Sequence, residues 1–468
     1  MKLNRLIALL LTAATFSVYA DNQPEKSKKN PPNLIVVMVD DMGWADTGFN
    51  GCKDIPTPNI DRIANEGVKF NQGYVTFPVC GPSRAGFLTG RYQDRFGYTT
   101  NPSIDPTNEI SGLPVEEETM AQVLRKADYN NAIIGKWHMG THPVFHPLNR
   151  GFDYFYGFLS GGHNYLPEKL TLNDLSEVTE KWGWYKTKII ENHDKVEIND
   201  YLTDELTDAT VRYINKQADD DQHFMVFLAY NAPHTPLQAT EKYLSRFGHI
   251  KNKKRRTYAA MVSAVDDGVG RILETLEKKG IDENTLIVFL SDNGGAKNNA
   301  SRNAPLRGKK TDLFEGGVRV PFAMRWKGQI PSGQTYEKPI SSLDIMATIV
   351  AQNKIKISKE RPLDGVNLLP YLTGQNDGFP HDQLFWRKWE QNAMAIRDHY
   401  FKLVANSDQN ETDLMLFDIE KDQSETTDLS KEYEEKVRDM KVAWEAWNAE
   451  MKDRVFPTLG GDSWWIAE

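Results

Sequence analysis

Four short apolar segments along the chain are each followed at once by polar or charged residues. They run over residues 34–39, 132–134, 224–229 and 286–290. Continuous apolar runs of this kind are typical of strands buried on both faces of a parallel sheet. Ligands bind at the carboxyl ends of strands in open α/β sheets, so the polar residues after these runs are predicted to meet at one edge.

Amphipathic segments alternate with these apolar runs. Helices are predicted over residues 59–66, 119–127, 203–216 and 257–279, and the last of these carries apolar side chains at helical spacing. Alternating strands and helices predict an α/β fold, with a large mixed, mostly parallel sheet sandwiched between helices.

Two later parts of the chain depart from this alternation. Residues 154–201 are rich in Gly, Trp and mixed charges, and are predicted to form a loop-rich insertion near the site. Beyond residue 379, short runs predict antiparallel strands followed by a helix over about 431–451; the strands are expected at 384–389, 393–397, 400–404 and 414–419. We therefore expect a large domain over 33–378, which holds the strand ends described above, and a smaller C-terminal α+β subdomain over 379–468.

The N-terminal segment has the pattern of a secretory signal. Lys2 and Arg5 precede an apolar run that is too short to span a bilayer, and Ala20 ends a small-residue cleavage site. No cysteine stands directly after that point, so no lipid anchor to a membrane is expected there. Residues 1–20 are thus predicted to be a signal peptide and 21–32 a flexible lead-in, with the mature chain periplasmic or secreted.

Length and charge narrow the functional classes. A chain of 468 residues exceeds what one hydrophobic core usually supports, which favours two unequal domains. The formal net charge is −9, from 56 basic and 65 acidic residues. Such a balance does not favour nucleic acid as a partner, and an anionic substrate would need a local basic site.

The stretch V-C-G-P-S-R-A-G-F-L-T-G-R, residues 79–91, places a thiol beside a predicted helix start. Pro82 suits the first helical turn, so Cys80 is expected next to backbone N–H groups at the positive end of the helix dipole. Arg84 follows one turn later and can reach the same point. Two plainer alternatives are a buried structural cysteine and a disulfide with Cys52, the only other cysteine in the sequence.

Acidic and amide side chains follow two of the predicted strands. Asp40 and Asp41 come after the first strand, and Asp292 and Asn293 after the last. A ligand set made of oxygen atoms suits a hard divalent cation such as Ca²⁺ or Mg²⁺ rather than zinc. Taken singly, either pair is also compatible with a helix cap or a solvated loop.

C-G-P-S-R at residues 80–84, with L-T-G-R at 88–91, resembles the signature of the type I sulfatases, within the alkaline phosphatase superfamily. D-D-M-G at 40–43 and D-N-G-G at 292–295 resemble that family's metal-binding segments. In that family a maturation enzyme oxidises the cysteine to formylglycine, whose hydrate attacks sulfur, and the ion is usually Ca²⁺. The resemblance therefore implies a formylglycine-generating enzyme as a transient partner and one Ca²⁺ held by Asp40, Asp41, modified Cys80, Asp292 and Asn293.

Three more segments resemble blocks of the same family: G-K-W-H-M-G at 135–140, A-P-H-T-P at 232–236, and residues 305–321. The resemblance implies that Lys136 and Lys310 hold the sulfate and that Arg84 binds the modified residue. It gives His234 the role of leaving-group acid. It also implies that His138 deprotonates the remaining hydroxyl so that sulfate is released.

The implied function is hydrolysis of sulfate esters on a sulfated oligo- or polysaccharide, with a carrageenan-type galactan as first candidate and glycosaminoglycans second. Polar and aromatic residues of the loops are candidate subsite contacts, namely His142, Arg150, His163, Trp182 and Trp184. Two alternatives stay open: a phosphate or phosphonate ester hydrolase on the same fold, and a silent glycan-binding module with unmodified Cys80. The oligomeric state, the sulfate position and endo or exo action are also open.

Overall fold

Strands and helices alternate through most of the chain in the computed structural model, which describes residues 31–169, 188–405 and 414–457. The predicted signal peptide and all but the end of the lead-in lie outside these residues. The strands of the described residues are β1 (Asn33–Val39), β2 (Val68–Phe70), β3 (Gly73–Tyr74), β4 (Asn130–Lys136), β5 (Tyr154–Phe158), β6 (Ile190–Glu191), β7 (Asp194–Lys195), β8 (Phe224–Ala229), β9 (Thr285–Ser291), β10 (Phe322–Arg325), β11 (Gln334–Tyr336), β12 (Ile340–Ser341), β13 (Leu384–Lys388), β14 (Ala393–Arg397), β15 (Phe401–Ala405) and β16 (Met415–Asp418).

The helices cover the two faces of the main sheet and one face of a smaller sheet. In the described residues they are α1 (Pro58–Asn65), α2 (Cys80–Thr89), α3 (Met120–Arg125), α4 (Leu202–Asp219), α5 (Glu241–Leu244), α6 (Lys253–Lys279), α7 (Glu315–Val318), α8 (Asp344–Gln352), α9 (Leu369–Leu372) and α10 (Glu434–Asn448).

The main sheet has ten strands in the order β11-β2-β10-β9-β1-β8-β4-β5-β6-β7. Its centre, β9-β1-β8-β4-β5, is parallel throughout, whereas β10 and the β6–β7 hairpin run antiparallel. The predicted mixed, mostly parallel sheet is thereby confirmed. The four strands whose carboxyl ends were predicted to meet, β9, β1, β8 and β4, are direct neighbours.

Alternating side chains of β1 explain why the sheet is covered on both faces. Leu34, Val36 and Met38 pack into one core with α2, α3, α8 and α9. Ile35 and Val37 point the other way, into a core with α1, α4, α5 and α6. Every residue of β1 is buried, which is why its sequence shows a continuous apolar run and no alternation.

The segment over residues 154–201 differs in part from its prediction as an insertion. Residues 154–158 form β5, which pairs in parallel with β4 and extends the main sheet. Gly157 and the dense aromatic residues of this strand hid the strand pattern. Residues 170–187 of the segment lie outside the described residues.

The second sheet is antiparallel, in the order β13-β14-β15-β16, and α10 packs on one of its faces. This agrees with the predicted C-terminal strands and helix. Its other face shares a core with Tyr74, Leu313, Phe314 and Val318 of the main body. No helix in the described parts of the chain is both long and apolar enough to cross a bilayer.

Candidate active site

Cys80 is the first residue of α2, at the carboxyl edge of the main sheet. Its side chain is buried; Sγ lies 3.6 Å from Asp40 Oδ1 and 3.2 Å from Lys310 Nζ. Burial raises the pKa of the thiol to about 12, although Lys136 and Lys310 act in the opposite direction. Cys80 is therefore a protonated thiol at neutral pH and a weak nucleophile in its unmodified form.

The disulfide alternative for Cys80 is wrong, because both cysteines are free thiols. Cys52 Sγ instead donates to Asp54 Oδ1 over 3.3 Å, and Arg255 Nη2 lies 3.8 Å from the same sulfur.

Carboxylates from the residues that directly follow β1 and β9 lie around Cys80. Asp40, Asp41, Cys80 and His234 each offer a ligand atom, and these four atoms lie within 4.8 Å of one another. Asp292 borders the group, since its Oδ1 accepts the backbone N–H of Asp41 over 3.3 Å. His234 belongs to this group as well, although its sequence motif suggested only an acid role.

Three positively charged side chains form ion pairs with these carboxylates. Lys136 Nζ donates to Asp40 Oδ2 over 2.6 Å, and Lys310 Nζ donates to Asp41 Oδ1 over 2.6 Å. Arg84 Nε donates to Asp292 Oδ2 over 2.8 Å. The residues that the family motifs pointed to are therefore brought together in one buried cluster of alternating charge.

The charges of the cluster shift its acids in opposite directions. Burial disfavours the Asp41 carboxylate, but Lys310 and His234 outweigh it and lower the pKa to about 2. Burial and the neighbouring Asp40 raise the pKa of Asp292 to about 6, against the effect of Arg84. The raised pKa of Asp292 means that Arg84 does not fully stabilise its carboxylate, so an added positive charge nearby would favour the ionised form.

The two histidines of the site are neutral at physiological pH. Burial, opposed by Asp41, lowers the pKa of His234 to about 3, and its Nε2 lies 3.6 Å from Asp41 Oδ2. Burial together with Lys136 and Arg84 holds the pKa of His138 well below its ordinary value. His138 Nδ1 is buried and has no hydrogen-bond partner among the described residues, so it is available as a base.

The donor set fits a hard divalent cation. Asn293 Nδ2 donates to Asp41 Oδ1 over 2.7 Å, while Asn293 Oδ1 is buried and has no partner in the described part of the chain. A buried amide oxygen without a donor costs free energy unless an ion or water satisfies it. Asp40, Asp41, Asp292 and Asn293 are the residues that would hold the ion.

Two residues that the sequence did not single out support this geometry. Asn299 is fully buried, and its Nδ2 donates to the backbone oxygen of Asp41 over 2.9 Å. Tyr98 Oη donates to the backbone oxygen of His138 over 3.1 Å. Neither residue stands in a motif that names a chemistry, so only the fold reveals these contacts.

Comparison with known proteins identifies the family. The profile described as "Sulfatase" matches residues 32–354, more than half of the chain. The chain belongs to the sulfatase family. A second profile, "N-sulphoglucosamine sulphohydrolase, C-terminal", matches residues 309–449. This sulfatase is therefore an enzyme that hydrolyses sulfate esters.

Individual relatives agree with the family. N-acetylgalactosamine-6-sulfatase of Mus musculus is 36% identical over 78% of this chain and 70% of the relative. The uncharacterized sulfatase YdeN of Escherichia coli is 32% identical, over 85% and 77%. The solved structure of Ps i-CgsB in complex with k-i-k-neocarrahexaose has a TM-score of 0.85 at 38% identity, over 91% of this chain and 94% of that one.

The candidate subsite residues of this sulfatase lie in different settings. His142 is half-buried, with Nε2 3.7 Å from Glu109 Oε1. His163 is buried with its ring 4.9 Å from that of Phe158. Arg150 is buried and donates to the backbone oxygens of residues 113, 114 and 117, which assigns it to the support of that loop. Trp182 and Trp184 lie outside the described residues.

Proposed function

We propose that this sulfatase is exported and removes sulfate from a sulfated carbohydrate, with a carrageenan-type galactan as first candidate. The 38% identity to Ps i-CgsB, a protein solved with a neocarrahexaose, supports this choice. The similarity to N-acetylgalactosamine-6-sulfatase supports glycosaminoglycans as the second candidate.

We further propose that Cys80 is converted to formylglycine by a maturation enzyme. The observation that carries this proposal is the position of Cys80, at the first residue of α2 between Asp40 and Lys310. The unmodified thiol has a pKa of about 12 and cannot supply a thiolate at neutral pH. Formylglycine in its hydrated form would supply an oxygen nucleophile at the same place.

A single Ca²⁺ is the proposed cation, held by Asp40, Asp41, Asp292, Asn293 and the modified residue 80. When bound, such an ion supplies a positive charge that polarises sulfate oxygens and acidifies a nearby hydroxyl. The oxygen-only protein ligands and the unpaired Asn293 Oδ1 support a hard cation.

The chain's own groups can then be given roles. Lys310 Nζ lies beside residue 80, and Lys136 Nζ binds Asp40, which residue 80 also contacts; both ammonium groups would hold a sulfate group and stabilise its developing charge. Arg84 neutralises Asp292 and fixes the β4 end through a 3.1 Å hydrogen bond to the Lys136 backbone oxygen.

The histidines take the proton transfers in this proposal. His138, neutral and with Nδ1 unpaired, would accept the proton of the remaining hydroxyl at residue 80. His234 would protonate the leaving alcohol. Because its pKa is low in the free protein, that role requires the negative charge of a bound sulfate ester to raise the pKa.

The proposal for Cys80 is tested on the mature protein from a host that contains the maturation enzyme. We expect an intact mass roughly 18 Da below that of the cysteine form. Cys80→Ala should abolish turnover while the thermal unfolding midpoint stays near that of the parent. Full activity in a protein whose residue 80 is an unmodified cysteine would refute the assignment.

The role of His234 is tested with leaving groups of different basicity. His234→Ala should lower kcat/KM by about 10²–10⁴-fold for a sugar sulfate but far less for 4-nitrophenyl sulfate, because a good leaving group needs no proton. Equal losses on both substrates would contradict the acid role.

The substrate is tested with defined sulfated oligosaccharides, including carrageenan and glycosaminoglycan fragments, by measuring released sulfate. A matched pair of aryl sulfate and aryl phosphate separates a sulfatase from a phosphate ester hydrolase. Release from glycosaminoglycan fragments alone would overturn the first candidate in favour of the second.

A further inference from the structure

A buried charge cluster lies between the second sheet and the loop that carries Lys310. Lys402 of β15 is fully buried, and its Nζ lies 2.9 Å from Glu315 Oε1 and 3.1 Å from Glu425 Oε1. Both carboxylates are likewise fully buried. Charges removed from water in this way are retained only where partners compensate them.

Glu315 stands at the centre of this cluster. Burial opposes its ionisation, but Lys402 and Arg319 outweigh this effect and lower its pKa to about 2. Its backbone N–H donates to Glu425 Oε2 over 2.7 Å. Glu315 is therefore a charged group whose side chain and backbone are both held from the C-terminal part of the chain.

Glu315 in turn contacts the segments that carry the site. It follows Lys310 by one short loop, and its Oε2 accepts a 2.7 Å hydrogen bond from Tyr74 Oη, in the strand that leads toward Cys80. Two residues later, the Gly317 backbone oxygen accepts the N–H of Gly294, beside Asn293, over 3.0 Å. Glu315 and its neighbour Gly317 on α7 thus contact the segments that carry Cys80 and Asn293.

A second contact from the same sheet reaches the Lys310 loop directly. Lys388 of β13 donates through Nζ to the backbone oxygen of Thr311 over 2.6 Å. Thr311 has φ of 82°, in the left-handed region, and its N–H donates to the Pro78 backbone oxygen over 2.9 Å. The second sheet therefore holds the Lys310 loop at both of its ends.

We propose that Lys402 is a positioning residue for Lys310, acting through Glu315, so that the second sheet sets the place of the ammonium group beside residue 80. The inference rests on the role of Lys310 in the proposed function. Lys402 itself touches no group that reacts.

The test is a double-mutant cycle between Lys402→Met and Lys310→Ala, with kcat/KM and inhibition by inorganic sulfate as readouts. Alone, Lys402→Met should lower kcat/KM by about 10–100-fold. Losses of this size are usual when a group that orients a residue in the site is removed. It should also weaken sulfate inhibition. In the Lys310→Ala background the same change should have less than about a threefold effect, since coupled residues are not additive.

Lys436→Met is the matched control. Lys436 pairs with Asp398, lies 5.6 Å from the Phe401 ring centroid next to Lys402, and makes no contact with Glu315. Lys436→Met should perturb the packing against the same sheet but keep kcat/KM within about twofold of the parent value. If Lys402→Met does not fold, Glu425→Gln replaces it in the cycle, because Glu425 pairs with Lys402 and accepts the Glu315 N–H.

The outcomes separate the inference from the function on which it rests. Equal losses from Lys402→Met in both backgrounds would overturn the positioning role while leaving Lys310 in place. Near-normal activity of Lys310→Ala would instead overturn the proposed role of Lys310, and the positioning role with it.

Discussion

The amide of Asn293 shows how far single residues determine this site. Its Nδ2 is satisfied by Asp41, whereas its buried Oδ1 has no donor among the described residues. The sequence suggested Asn293 as a ligand because an amide followed Asp292 at a strand end. The same reasoning could not find Asn299, since a lone asparagine in a loop has no distinctive pattern.

Calcium should stabilise the folded protein through these residues. At a Ca²⁺ concentration one hundred times the dissociation constant, binding adds about 2.7 kcal/mol to the free energy of unfolding. We expect a higher unfolding midpoint with Ca²⁺ than with a chelator, measured by calorimetry. Asn293→Ala should shrink this difference, and Asn298→Ala, at an exposed position five residues from Asn293, should keep it. An unchanged difference in Asn293→Ala would argue against Asn293 as a ligand.

Strands and helices were predictable where their sequence pattern was long and clear. The four strands that deliver the site were found because each is a buried apolar run, whereas β2, β10 and β11 have three or four residues and too little pattern. Helix α6 begins at Lys253, earlier than its apolar stripe indicates. Its first turn is fixed by Asn252, whose side chain accepts the Arg255 N–H, and not by hydrophobic burial.

The contact between α7 and the segment after β9 depends on a missing side chain. A Cβ on Gly294 would lie 1.9 Å from the Gly316 backbone oxygen. Gly294→Ala should therefore push Asp292 and Asn293 away from α7, lower the unfolding free energy by about 2–3 kcal/mol, and reduce activity. Denaturant unfolding measures the first effect. Gly248→Ala, where the nearest atom is 4.0 Å away, should stay within about 0.5 kcal/mol of the parent.

At the scale of the whole molecule, the second sheet is tied to the main body by polar contacts as well as by a shared core. Trp386 Nε1 donates to the Val75 backbone oxygen over 2.7 Å. His381 Nε2 lies 2.8 Å from Asp344 Oδ1, at the start of α8. The strands and helix of this part were predictable from their patterns. These attachments join residues far apart in sequence, so no local pattern predicts them, and the predicted boundary at 378/379 stays a prediction.

The His381 pair should make stability depend on pH. Burial opposes protonation, but Asp344, with Asp364 and Asp382 further off, raises the pKa of His381 above 6.5. Because the folded pKa is the higher one, the contribution is complete below about pH 6.5 and is lost as pH rises through the folded pKa. His381→Gln should cost about 1–3 kcal/mol at pH 6 and clearly less at pH 9, by denaturant unfolding. An equal loss of unfolding free energy at both pH values would contradict a stabilising role of protonated His381.

The strands of the second sheet are synthesised after Cys80, and this order matters for any modification of that residue. Residue 80 leaves the ribosome on the order of tens of seconds before strands β13–β16 are made. Side chains of β13 then bind the backbone oxygens of Val75 and Thr311, and in the folded protein Cys80 is 2% exposed. The maturation enzyme proposed above would therefore have to reach Cys80 in the growing or still unfolded polypeptide, before the fold buries this residue.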